Sequence, residues 1–239
     1  MTHFKIFFMI VFCSIILGTN ACINIETIEG SGKVITENRD LKGFKGIKAS
    51  SGLMVYISQG DTEKVEIKAD DNIVKLIKTE VKGDMLYITC EKNLKNTKSR
   101  NIYITAKEIN SIEGSAGVEI KTTNQIKSKA ISLSSSSGAS VIVEIESAAA
   151  KCKTSSGATL IVSGKTIASF IQSSSGSSFN GFELECETSD AEASSGSTIN
   201  IFANKAITAK ASSGASVLYK GSPDAVTKKA SSGGSIKGI

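Results

Sequence analysis

The sequence predicts an all-β protein: a single-stranded right-handed parallel β-helix, or solenoid, with coils of about 19–20 residues. Three observations predict it. The tripeptide Ser-Ser-Gly occurs seven times in 239 residues, ending at Gly52, Gly138, Gly157, Gly176, Gly196, Gly214 and Gly233. A variant, Ser115-Ala116-Gly117, falls in step, and from Gly117 onward the spacings are 21, 19, 19, 20, 18 and 19 residues. Three residues after each of the last six glycines stands an apolar side chain: Val141, Leu160, Phe179, Ile199, Val217 and Ile236.

In chain order, residues 1–21 read as a signal peptide. Lys5 supplies the positive start, Ile6 to Leu17 is apolar apart from Cys13 and Ser14, and small or polar residues follow to Ala21. A run of about 12 residues is too short to span a bilayer as a helix and suits a secretion signal. Cys22 follows at once, in a position that resembles the lipobox of bacterial lipoproteins, whose cysteine is acylated. The match is partial, because Thr19 and Asn20 stand where an apolar and a small residue are usual. Lipid attachment at Cys22 is expected in preference to ordinary cleavage after Ala21, since an exported domain gains little from an unpaired terminal thiol. Residues 22–29 then form a tether, and 30–239 the β-helical unit.

The first half of that unit, 30–114, is less regular. Gly30-Ser31-Gly32 lies 20 residues before Gly52, one period, and Ile47 to Gly52 copies the repeat. The 65 residues from Gly52 to Gly117 are not a whole number of coils. Alternating stretches at Val55–Ile57, Val65–Ile67, Met85–Ile88 and Ile102–Ile104 predict strands. A short helix is expected after Asp71 as N-cap, with Ile73, Val74 and Ile77 on one face. The region reads as early coils with an inserted excursion that caps an open sheet edge.

Residues 115–239 are the regular repeats. Five before each glycine come Leu133, Cys152, Ile171, Ala191, Ala209 and Lys228; four before it come Ser134, Lys153, Gln172, Glu192, Lys210 and Lys229. Two after it stand only Ser or Thr. This is period-2 alternation, with small or apolar residues inward and long polar ones outward. Two short strands per repeat, joined at a glycine whose backbone a Cβ would resist, make one coil. Gly52, Gly117, Gly138, Gly157, Gly176, Gly196, Gly214 and Gly233 are therefore expected to be structural turns. Coils about 4.8 Å apart carry the glycines from Gly117 to Gly233 through roughly 29 Å, and the paired serines are placed to hydrogen-bond up and down the stack.

The same sequence excludes much chemistry. Its one histidine, His3, is lost with the signal, which closes imidazole-based catalysis to the mature chain. Cys90, Cys152 and Cys186 remain, an odd number with no CxxC pair, so neither a zinc site nor a disulfide framework is indicated. Cys152 and Cys186 fall two coils apart, beyond disulfide reach, and are expected to be reduced. The charge of +5 is scattered along the chain, unlike a nucleic-acid-binding patch. Glu144, Glu146, Glu183, Glu185, Glu187, Asp190 and Glu192 fall in several columns when counted from the glycines, as on a solvated face. No cofactor or metal site is expected.

Gly30-Ser31-Gly32, Phe44, Ile47, Ser51-Gly52, Val55–Ile57 and Gly60-Asp61, followed by the Ser-Ser-Gly series, resemble the putative auto-transporter adhesin, head GIN domain family. The resemblance runs from about Gly30 to Ile239. It implies a β-helix shaped like the pectin lyases without their catalytic residues, in exported or lipid-anchored proteins. The expected function is a non-enzymatic, adhesin-like or structural module of the cell envelope, held as an outer-membrane lipoprotein, periplasmic or surface-facing. Its expected partners are the membrane, through the lipid, and a glycan or host-surface ligand. The alternative is a carbohydrate-active enzyme of the pectin-lyase-like type, which three or more carboxylates and a basic residue meeting in one groove would favour.

Overall fold

The computed structural model describes residues 26–239. Cys22 and the signal segment lie outside the described residues. The early strands are β1 (Thr27–Glu29), β2 (Val34–Arg39), β3 (Gly46–Ala49), β4 (Met54–Gln59) and β5 (Lys64–Asp70), followed by the helix α1 (Asp71–Val74). Next come β6 (Ile77–Lys82), β7 (Met85–Cys90), β8 (Asn93–Lys95), β9 (Arg100–Ala106), β10 (Ser111–Gly114) and β11 (Glu119–Thr122). The repeats form β12 (Ile126–Ser135), β13 (Ser140–Thr154), β14 (Thr159–Ser173), β15 (Ser178–Ala193), β16 (Thr198–Phe202), β17 (Ala206–Ala211), β18 (Ser216–Lys220), β19 (Ala225–Ala230) and β20 (Ser235–Gly238).

The turns build each coil. In Ser155-Ser156-Gly157-Ala158 the two central residues have φ of 52° and 69°, and the Ala158 N–H donates to the Ser155 carbonyl at 3.2 Å. Two left-handed residues closed by such a bond define a type I′ turn. All eight expected turn glycines have positive φ, and so does the Ser or Ala before each one. The turns stack through the main chain rather than through the serine hydroxyls. Seven of these eight glycines, from Gly52 to Gly214, donate their N–H to the carbonyl of the left-handed residue in the next coil, as Gly138 does to Ser156 and Gly157 to Ser175, both at 3.1 Å.

Two inward files follow from this register. On the wall after the turns, Ile102, Val55, Ile120, Val141, Leu160, Phe179, Ile199, Val217 and Ile236 are paired in succession. On the wall before them, Leu86, Ile47, Ile112, Leu133, Cys152, Ile171, Ala191, Ala209 and Lys228 do the same. Every member except Ile236 and Lys228 is buried, each large one contributing about 1.5–3 kcal/mol. Beside the turns the shaft narrows to small hydroxyls: Thr154, Ser173 and Ser177 bond one another at 2.7–3.0 Å, which satisfies their buried polarity. The coil lengths also have a physical origin. The 20-residue coil after Gly176 carries a register shift against Ile161 and Ser163, around Gly181 and Phe182, an added residue of the bulge kind.

The first half departs from the linear expectation. The Gly52 coil, β3–β4, stacks directly beneath the Gly117 coil, with the Gly52 N–H donating to the Ala116 carbonyl at 3.0 Å. Beneath it in turn lie β7 and β9, which come later in sequence. The chain therefore winds one coil, descends through β5, α1 and β6, inserts a coil below, and only then resumes above. The strands β2–β5–β9 and β6–β7 pair antiparallel at that end, with β2 and β6 as its edge strands.

Gly30-Ser31-Gly32 is not a repeat turn, although it lies one period before Gly52. It approaches Asp70, whose fully buried carboxylate accepts the N–H groups of Gly32 at 2.9 Å, Ser99 at 2.9 Å and Lys98 at 3.2 Å. A Cβ on Gly30 would stand 2.3 Å from an Asp70 carboxylate oxygen, so glycine is required there for close approach. The helix is also shorter than expected. Its N-cap is Asp70 rather than Asp71, and Ile77 belongs to β6, because the chain must turn at once into the antiparallel pair with β7.

Candidate functional site

The long strands β13, β14 and β15 bend around a corner of the solenoid at which two successive residues face outward. On one side of the corner the pairing aligns Lys127, Glu146, Lys165 and Glu185 in a single file. The signs alternate up the stack, and ion pairs close at 3.0 Å for Lys127–Glu146 and 3.4 Å for Lys165–Glu185. Glu144, Ser163 and Glu183 form the neighbouring outward file, with Gln125 donating to Glu144 at 3.2 Å. Glu187 is paired with Lys205 at 2.7 Å. The groove between them has a volume of about 830 Å³ and includes Glu146, Glu185, Glu187 and three lysines in its lining.

The carboxylates are thus not scattered, contrary to the count from the glycines, and their number meets the condition set for an enzyme. Their environment does not resemble that of a general acid. Such a group needs burial or a like charge to stay protonated, whereas these are exposed and face ammonium groups. Among the described residues, no three His, Cys, Asp or Glu side chains converge to hold a metal. The signal that would have aligned the file is a backward count. Lys127, Glu146, Lys165 and Glu185 each stand eleven before the next turn glycine, while counting forward gives 10, 8, 8 and 9.

Past the corner lies a second groove of about 690 Å³, lined mainly by apolar atoms. One wall is the register file Ala130, Ala149 and Ala168; the other is Ser132, Lys151 and Phe170; Ile131 and Ala150 lie between. Ile167, 55% exposed, stands on the ridge dividing the two grooves. A third groove of about 590 Å³ borders the serine turns, where Glu192 accepts Lys210 at 2.6 Å and Gln172 at 3.1 Å. The Lys210 bond, then that of Gln172, holds the Glu192 carboxyl below its ordinary range.

The aromatic residues divide between core and surface. Phe179 is buried in its file, while Phe170, Phe182 and Phe202 are half-buried on outward positions. Tyr56 and Tyr103, in the irregular half, stack with ring centroids 5.1 Å apart, and Lys220 lies 4.4 Å from the Phe182 ring centroid. The three described cysteines are buried and free. Cys152 lies on β13 and Cys186 on β15, with β14 between them, and burial pushes the Cys152 thiol up to about 12.

The family model described as putative auto-transporter adhesin, head GIN domain, matches residues 43–223. The chain belongs to this family. Several solved structures share the head GIN domain's architecture. A Bacteroides fragilis protein described as a putative adhesin aligns at 23% identity and a TM-score of 0.84, covering 89% of this chain and all of the other. A putative adhesin from Parabacteroides merdae aligns at 14% identity and TM-score 0.71, covering 90% and 99%. A Parabacteroides distasonis protein described as a putative lipid binding protein aligns at 15% identity and TM-score 0.72, covering 90% and 100%. At these identities the likeness is one of fold. No curated protein matches the chain.

Proposed function

We propose that the protein is an exported, non-enzymatic β-solenoid, anchored by lipid at Cys22, which presents its lateral wall as an adhesin-like binding surface of the cell envelope. The observation that carries this is the corner of the wall. It sets an apolar groove beside a ladder of neutralised charges, in a member of a family described as adhesins. Lys129 and Lys151 line the two grooves of this corner without a salt bridge among the described residues, which suits a ligand with negative charge, such as an acidic glycan. Export and anchoring rest on the segment from Met1 to Cys22. Multiple acyl chains give stable membrane attachment, at about 0.8 kcal/mol for each buried methylene.

The deciding experiment is a glycan and host-matrix binding array, run on the protein and on its Ile167→Asp and Phe170→Ala variants. Retention of a ligand by the parent, weakened by these substitutions, supports the proposal. Turnover of an acidic polysaccharide that is abolished by Glu146→Gln or Glu185→Gln would replace it with the carbohydrate-active alternative. Fractionation of cells carrying Cys22→Ser tests the anchor: protein that stays with the membrane refutes it. Protease shaving of intact cells tests whether the wall faces outward.

A further inference from the structure

Residues 26–33 do not hang from the body as a loose tether. β1 pairs in parallel with β8, Thr27 with Asn93, Ile28 with Leu94 and Glu29 with Lys95, and the two strands form a sheet apart from the solenoid walls. Ile28 and Leu94 are the half-buried pair of this ribbon, and the residues on either side of each are exposed. The Asn93 N–H donates to the Glu26 carbonyl at 3.1 Å, and the Gly30 N–H to the Lys95 carbonyl at 3.0 Å. Side chains at the start of α1 add a clasp. Asn72 closes on the segment twice, donating to the Glu29 carbonyl at 2.8 Å and accepting the Ser31 N–H at 3.1 Å. Ser31 Oγ donates to Asp71 at 2.7 Å, and the Gly32 N–H reaches the buried Asp70.

This docking fixes where the chain leaves the body. Cys22 stands four residues before Glu26, so a lipid attached there begins within about 14 Å of Glu26. Glu26 is ion-paired to Lys92 at 2.6 Å, at the start of the connection from β7 to β9. From Lys92 to Arg100 that connection carries Lys92, Lys95, Lys98 and Arg100 and no acidic residue. Lys95 and Lys98 are exposed and have no ion pair among the described residues. Cations held this close to an acyl anchor are attracted to anionic headgroups, an attraction that fades within a Debye length.

We propose that residues 26–33 are a docking strap that holds the β7–β9 connection, with Lys95 and Lys98, against an anionic lipid surface, so that the upper coils project away from the membrane. The proposal rests on lipid attachment at Cys22. Asn93 and Leu94 share a cleft of about 370 Å³ with Ser51 and Gly52, so the strap lies beside the Gly52 turn. The last turn, at Gly233, is seven coil spacings farther along the stack, roughly 34 Å. A flexible leash would let every face of the solenoid meet the lipid, whereas the strap keeps the lateral wall free for a ligand.

The test uses the full lipidated chain in vesicles of phosphatidylglycerol and phosphatidylcholine that carry a nitroxide, a short-range quencher, on the headgroup. A dye is attached through Asn93→Cys or Ser232→Cys, both exposed positions, while Cys90, Cys152 and Cys186 are buried. Strong quenching at position 93 and none at position 232 is expected. Ser31→Ala combined with Asn72→Ala is expected to abolish the difference. Lys95→Glu combined with Lys98→Glu is expected to reduce quenching at position 93 while the protein stays on the vesicles. Equal quenching at the two positions in the parent overturns the proposal, as does no quenching at either with the protein still in the vesicle fraction. So does a difference that either pair of substitutions leaves unchanged. Protein absent from the vesicle fraction overturns the anchor at Cys22 and the placement built on it. Docking is read separately by hydrogen exchange on the soluble Cys22→Ser chain. The Gly30 and Gly32 N–H groups are expected to exchange as slowly as those of β9, and exchange at the rate of free chain overturns the strap whatever the anchor does.

Discussion

Replacing Ser156 by glycine should stabilise the protein, and replacing the adjacent Gly157 by alanine should destabilise it. Both residues occupy left-handed backbone, at φ of 52° and 69°. A side chain there costs about 1–2 kcal/mol, which Ser156 already bears and Gly157 avoids. A Cβ on Gly157 would meet nothing within 4 Å, so the cost of Gly157→Ala is conformational alone. The unfolded chain offsets part of each change, because glycine gives it about 0.4–1 kcal/mol more entropy to lose. The net expectation is a gain of about 0.5–1 kcal/mol for Ser156→Gly and a loss of similar size for Gly157→Ala. Gly164 is the contrast. Its φ is 101°, and a Cβ would stand 2.1 Å from the Ile145 carbonyl oxygen, so backbone must move. Clash added to strain places Gly164→Ala at about 3 kcal/mol or more. Urea unfolding followed by circular dichroism separates the three, and each kcal/mol corresponds to about 2–4 °C in Tm for a chain of this size. A destabilised Ser156→Gly, or a Gly157→Ala as damaging as Gly164→Ala, would refute the type I′ assignment and its energetics.

Three further expectations test other parts of the molecule. Burial alone would raise the Asp70 carboxyl, but the N–H donors of Gly32, Ser99 and Lys98, with the Lys98 charge, outweigh it and hold the group below its ordinary value. Because the folded form binds the proton more weakly, its contribution is complete above the unfolded value of about 3.9 and is lost as pH falls through the lower folded value. Asp70→Asn should therefore cost about 2–3 kcal/mol near neutrality and flatten the fall in urea midpoint below about pH 4; an unchanged pH profile contradicts this. Cys152 should resist iodoacetamide at about pH 8 until the protein unfolds, since its thiolate is scarce and covered. Mass spectrometry showing native labelling at Cys152, or a bridge to Cys186, would break the register. Lys165→Ala should change stability by no more than about 1 kcal/mol, because the ladder is exposed and screened; a larger loss in the urea midpoint would show the ladder to be structural.

The inward files and the turn glycines were legible because each coil repeats one physical problem. A narrow shaft needs an apolar group at the same offset, and an I′ turn needs glycine at its second central residue. The corner groove was obscured by the variation in coil length. Insertions such as Phe182 fall between a glycine and the next corner, so forward offsets drift while backward offsets hold. Gly30 and Gly32 misled for a related reason. Glycine is needed both for left-handed turns and for close approach to a carboxylate, and spacing does not distinguish the two uses.

The sequence by itself determined the repeating coil and its inward and outward residues, because these depend on local periodicity and composition. Only the tertiary structure decided that the Gly52 coil sits between strands drawn from later in the chain, that strands pair antiparallel at one end, and that lysines and glutamates alternate up the corner. Those arrangements depend on which backbone edges meet. Edges far apart in sequence are matched by the burial and hydrogen bonding of the whole solenoid, and a linear pattern does not record that matching.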